Sequence, residues 1–179
     1  MRRPMLAVPM ISVSQDEHDR ARGIVRWGDQ HAPCALGPGG IKREKREGDG
    51  VTPAGLFPFR RVLYRADRIE KPKTILPVAA IEPDDGWCDA PRDLAYNCQV
   101  KLPFDASHEV LWRDDALYDL LVVIGHNDDP VLAYGGSAIF LHVAREDFAP
   151  THGCVALQVS DLRNLVSVIG RATLLRIGE

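Results

Sequence analysis

Cys154 has one histidine two residues before it, His152, and another twelve before it, His142, in the stretches Thr151-His152-Gly153-Cys154-Val155 and Phe140-Leu141-His142-Val143. These residue types suit nucleophilic thiol chemistry. The thiolate is the attacking form, and a free thiol with a pKa of about 8.5 needs a base or cation beside it to ionise at neutral pH. On this reading Cys154 is the most reactive of the chain's thiols near neutral pH. Gly153 leaves room beside the sulfur for a substrate backbone, and the amides around the Gly-Cys step are candidate oxyanion donors. Thr151 follows Pro150, a turn signal, so the cysteine is expected where a loop re-enters a strand. The alternative is a small buried thiol beside a satisfied histidine.

The elements that must position these groups are mostly short strands. Residues 138–143 read as a buried strand that delivers His142, and 120–124 as another. The latter ends in the turn cluster Gly125-His126-Asn127-Asp128-Asp129-Pro130, where His126 and Asn127 either reach the substrate or stay in solvent. Further strands are expected at 10–13, 23–27, 57–64 and 172–177, with a flexible connection through 33–40. Two helices are expected. One spans 107–117 with Ser107 as cap and Val110, Leu111 and Leu117 inward; the other spans 161–169, capped by Ser160 and ended by Gly170. Between 66 and 104, Pro72, Pro77, Pro83, Pro91 and Pro103 recur. That stretch is read as a structureless Pro-rich cover over the site, with Trp87 and Tyr96 as apolar walls for the substrate. The pattern predicts a mainly β protein, a sandwich or open barrel with two or three short helices.

The Thr151-His152-Gly153-Cys154-Val155 core, His142 closing an apolar strand, and Thr52-Pro53-Ala54-Gly55-Leu56-Phe57 together resemble the YkuD-type L,D-transpeptidases. Lys45, Gly48 and Asp49, ahead of Thr52, Pro53 and Gly55, match a further element of that family. The resemblance runs from about residue 24 to the C-terminus. It implies a β-rich fold, Cys154 as nucleophile, and His142 as general base held by a backbone carbonyl. It gives His152 and Gly153 a part in the oxyanion region, and Thr151 a place against the substrate. It also implies peptidoglycan stem peptides as partners, a thioester intermediate, no metal or organic cofactor, and acylation by carbapenems. Two departures stand out: Ala156-Leu157-Gln158 replaces the Arg usual after Cys-Val, and the interval from His142 to Cys154 is short. Short proteobacterial members lacking that Arg resemble this chain, and some join L-alanine to meso-diaminopimelate (1-3) instead of making 3-3 links. Two alternatives stay open. One is an L,D-carboxypeptidase or endopeptidase of the same fold; the other is a non-catalytic peptidoglycan- or zinc-binding module using His142, His152 and Cys154. The residues alone do not separate the two histidines.

At 179 residues the chain fits one domain spanning 1–179, and 45% hydrophobic with 26% charged residues is ordinary for a globular protein. A net charge of −3 gives no reason to expect nucleic acid. The basic run Lys42, Arg43, Lys45 and Arg46 alternates with Glu44 and Glu47, which reads as a solvated loop. Of the four cysteines, Cys88 and Cys98 could be bridged or reduced. No segment is long enough to span a bilayer. Arg2-Arg3 and the apolar run after them, broken by Pro9, fall short of a clear signal peptide. A peptidoglycan substrate nevertheless places the protein in the periplasm or cell envelope. Oligomeric state is not legible.

Overall fold

The computed structural model describes residues 7–179, so the Arg2-Arg3 reading lies outside the described residues. The strands are β1 (Val8–Gln15), β2 (Arg22–Trp27), β3 (Gln30–Ala35), β4 (Ile41–Lys42), β5 (Thr52–Pro53), β6 (Gly55–Tyr64) and β7 (Val78–Ala80). They continue with β8 (Asp85–Cys88), β9 (Gln99–Lys101), β10 (His108–Val110), β11 (Leu120–Ile124), β12 (Phe140–Val143) and β13 (Val155–Leu157). Helix α1 (Val159–Val168) and β14 (Ile169–Ile177) complete the chain. The fold is mainly β, as expected.

The main sheet runs β11-β12-β13-β3-β2-β1-β14-β6, and β6 pairs back with β11, so the sheet closes on itself; β7 adds alongside β6. Strand β11 shows why the centre holds. All five of its residues are buried, and they alternate between two cores. Leu120, Val122 and Ile124 join a cluster with Leu141, Val143, Val155, Leu157 and the helix residues Leu162, Leu165 and Val166. Leu121 and Val123 join the opposite cluster with Phe140, Trp87, Tyr118 and Cys154. This is the period of two expected of a strand covered on both faces. Each fully buried aliphatic side chain contributes roughly 1.5–3 kcal/mol.

Several expectations need correction. The stretch 66–104 is not a structureless cover: β7 extends the main sheet, and β8 and β9 pair with β10 in a three-stranded sheet. No helix spans 107–117. β10 pairs antiparallel with β8, with Glu109 opposite Trp87. The turn after it is fixed by Asp115, which accepts from Arg113 through both carboxylate oxygens (2.8 and 2.7 Å) and from the Leu117 N–H at 3.2 Å. Val110 points out, 43% exposed, although its hydrophobicity favoured the core. One helix, α1, occurs among the described residues. It is capped at Gln158 without a side-chain bond instead of at Ser160, and it ends where Ile169 turns extended, before Gly170. The flexible connection through 33–40 begins inside β3, which forms a hairpin with β2 around Gly28-Asp29; Gly28 has the positive φ (+55°) that such a turn requires. All four thiols are free. No helix among the described residues is long and apolar enough to cross a membrane.

Candidate active site

Strands β12 and β13 run parallel with His142 opposite Ala156. Because side chains alternate along a strand, Phe140, His142, Cys154 and Ala156 share one face of the sheet. His142, Cys154 and Ala156 line a cavity of about 770 Å³, together with Thr151, His152, Tyr118, Glu109 and others.

The cysteine is held from several sides. Its Sγ–H donates to the Ala138 carbonyl at 3.2 Å, and its sulfur accepts from the Phe140 N–H at 3.3 Å. The Thr151 hydroxyl donates to the Cys154 carbonyl (2.8 Å) and accepts from the Gly153 N–H (3.1 Å), which braces the turn. Gly153 has φ +126°, and a Cβ there would lie 2.7 Å from the Val51 carbonyl oxygen. The glycine is therefore needed first for the close passage of the 45–51 loop. That loop is not simply solvated. Asp49 accepts from the Arg46 and Val51 amides and pairs with Lys45, whose side chain is only 5% exposed. Glu47 accepts from Tyr96 and, at 2.7 Å, from Ser137.

His142 is buried, and its Nδ1 lies 2.8 Å from the Val143 carbonyl. A carbonyl only accepts, so Nδ1 carries the proton and Nε2 is left as the basic nitrogen of the neutral ring. The ring of Tyr118 meets it edge-on at 5.4 Å. Burial pushes the imidazole down to about 4, with the nearby Arg113 adding to the effect against the Val143 carbonyl. Burial, and then the neighbouring Glu109, push the Cys154 thiol up to about 12, against the Phe140 N–H and Lys45. Both shifts favour the neutral thiol and the neutral imidazole at neutral pH. Burial of both groups weighs against a thiol activated at rest, because each charged form loses its hydration. His152 is exposed on the rim.

His126, Asn127, Trp87 and Tyr96 are not brought to this cavity. His126 and Trp87 line a second cavity of about 270 Å³ that does not include Cys154. Trp87 packs edge-on against Phe140 at 4.9 Å, and its indole N–H donates to Asn97 Oδ1 at 3.0 Å. Asn97 donates in turn to the His126 and Asn127 carbonyls (3.0 and 2.9 Å) and accepts from the Ala138 N–H at 3.1 Å. Asn127 closes its own loop onto Leu132 and Gly136. Tyr96 is buried, donating to Glu47 and accepting from the Gly136 N–H. These residues form a scaffold behind Ala138, the residue whose carbonyl holds the Cys154 thiol.

Sequence reasoning missed Tyr118, Glu109 and Asn97. Glu109 sits in the cavity with its carboxylate accepting from Tyr118, and burial raises its pKa. An incorrect helix at 107–117 concealed its place opposite Trp87.

A search of curated proteins and a search of solved structures each find no match to the chain. A family profile for the L,D-transpeptidase catalytic domain, YkuD, matches residues 13–177. With the cysteine and both histidines inside the matched span, the chain belongs to the YkuD family of L,D-transpeptidase catalytic domains.

Proposed function

We propose that this protein forms peptidoglycan cross-links through a thioester on Cys154, with His142 as the general base. The observation that carries the reading is the pairing of β12 with β13. It sets His142 and Cys154 on one face of one cavity, with Nδ1 fixed by a carbonyl and Nε2 left to take a proton. As the sulfur attacks the donor amide carbonyl, the thiol proton passes to His142 Nε2. Collapse of the adduct breaks the C–N bond, and His142 returns the proton to the departing amine. The amine of a second stem peptide then attacks the thioester, and the thiol is regenerated. Water in place of that amine would give hydrolysis. The Gly153 N–H is occupied by Thr151, so the His152 and Cys154 amides are the oxyanion donors of this reading. A neutral resting pair fits a base that takes the thiol proton only as the sulfur attacks a bound substrate.

The absence of Arg after Val155 and the short His142–Cys154 interval favour an L-alanine donor joined to meso-diaminopimelate. Such a substrate places the site of action in the periplasm or cell envelope. Incubation with purified muropeptides, followed by mass spectrometry and fragmentation, tests both levels. Dimers linked through L-alanine are expected. Dimers linked 3-3 would change the donor, shortened monomers alone would indicate a peptidase, and no product from folded protein would overturn the enzyme reading.

A further inference from the structure

On the His142 side of the cavity stand two arginines to which the reaction so far has given no part. Arg113 and Arg145 both line the cavity, and both act on the buried imidazole. Arg113 is fixed. Its Nε and Nη2 donate to the Asp115 carboxylate at 2.8 and 2.7 Å, and its guanidinium carbon sits 5.3 Å from the centre of the Tyr118 ring. Its Nη1 has no hydrogen-bond partner among the described residues. Arg145 follows β12 by two residues, on a turn closed by the Phe148 N–H donating to its carbonyl at 2.9 Å. It is exposed and makes no ion pair or side-chain hydrogen bond among the described residues. Arg113 is thus matched by Asp115 and acted on by Glu109, whereas Arg145 brings a positive charge that no ion pair among the described residues offsets.

The rest of the cavity is different. Asp89 follows β8 and Glu109 stands on β10, held by Tyr118 and acting on Arg113, while Asp49 is paired with Lys45. An anionic group entering the cavity is repelled by Asp89 and drawn to Arg145 and the free Nη1 of Arg113. Guanidinium presents parallel N–H donors that match a carboxylate in shape as well as charge.

We propose that Arg113 and Arg145 form a carboxylate subsite that holds the departing residue of the donor peptide, beside the base that protonates its nitrogen. The inference rests on the transpeptidase reading above. In either donor the residue that leaves with the nitrogen is an α-amino acid with a free α-carboxylate. It is D-alanine at a chain end, or D-glutamate joined through its side chain. The carboxylate is then one carbon from the nitrogen that His142 must reprotonate. Ala156, opposite His142, brings no charge to this wall; the turn after β12 and the turn after β10 supply it instead.

The test is a binding measurement that needs no turnover. In protein carrying Cys154→Ala, two synthetic peptides are titrated calorimetrically: L-alanyl-γ-D-glutamyl-meso-diaminopimelate and the same peptide with the D-glutamate α-carboxylate converted to a carboxamide. Charged hydrogen bonds of this kind are worth roughly tenfold to a hundredfold in affinity, so the carboxylate form should bind tighter by about that factor. Adding Arg145→Ala should remove about tenfold from the carboxylate form and leave the carboxamide unchanged; Arg145→Lys should restore part of it. Arg113→Gln is read the same way once its melting temperature shows that the Asp115 turn survives. Equal losses for both peptides, no preference in the parent protein, or no binding of either would overturn the subsite. Failure of the transpeptidase reading shows separately, as muropeptides left unchanged by the unsubstituted protein.

Discussion

Cys34 and Cys154 are both buried, and burial pushes both thiols up to about 12. Yet Cys34 lies within the main hydrophobic core, while Cys154 opens onto a cavity lined with His142, His152 and Glu109. The same contrast holds along β12 and β13. There Leu141, Val143, Val155 and Leu157 face the hydrocarbon core, and Phe140, His142, Cys154 and Ala156 face the other way. Burial by itself therefore does not tell a structural thiol from a reactive one. What differs is access, and a base whose free nitrogen faces the same space.

Removing the sulfur from each cysteine breaks the comparison most sharply. Cys154→Ala should abolish product formation from muropeptides with little change in melting temperature, because the covalent step has no substitute. Cys34→Ala should cost about 1 kcal/mol of stability and leave turnover intact. Iodoacetamide should label exposed Cys98 first and Cys154 slowly at pH 7, faster when a donor peptide is present. Product formation by the Cys154→Ala protein would remove the nucleophile from the mechanism.

The histidines come next. His142→Ala should lower turnover by about 10²- to 10⁴-fold, the usual range for a general base, and His152→Ala by less, because His152 is on the exposed rim. Steady-state rates of the two variants decide it, and the reverse order would move the base to His152.

How much of this is legible in the residues depends on which signal each element carries. The strands that carry the candidate site are readable because residues 120–124 and 138–143 are apolar runs, and the Thr-His-Gly-Cys core is distinctive. The small sheet is not. Its strands have three or four residues, too short for a period to register, and β10 puts Glu109 in and Val110 out, the reverse of hydrophobic patterning. The prolines of 66–104 suggest an open cover, but backbone pairing of β8 with β9 and β10 closes it into a layer. Gly28-Asp29 is a hairpin signal whose weight shows only once β2 and β3 are seen to pair. Trp87, expected as a wall, packs on Phe140 behind the site. Consequently Trp87→Ala should cost about 3–5 kcal/mol in a denaturant titration, comparable with Leu141→Ala on the opposite face at about 2–5 kcal/mol. A Trp87→Ala protein of normal stability would return that side chain to the substrate.

A subtler effect concerns the energetic cost of holding His142 neutral on the cavity face. In the unfolded chain an imidazole takes up a proton as pH falls below about 6.5, but burial holds His142 in the folded protein down to about 4. Between these values the unfolded state binds more protons, so stability is complete above 6.5 and is lost as pH falls toward 4. His126, also lowered by burial, adds to the loss with the same sign. Glu109, raised by burial, opposes it, because its folded form takes up a proton earlier than the unfolded one. The raised thiols act only at alkaline pH, and the lowered Asp49 and Asp85 act mainly below the window. Subtracting a variant isolates the imidazole. His142→Gln keeps a donor for the Val143 carbonyl but cannot be charged. Between pH 7.5 and 4.5 the parent should lose about 2 kcal/mol more than this variant in denaturant titrations, since each tenfold change in proton affinity is worth about 1.4 kcal/mol. Parallel curves would mean that His142 is freely protonated in the folded protein, and the base would then be charged and unable to accept the thiol proton over the acid half of that range.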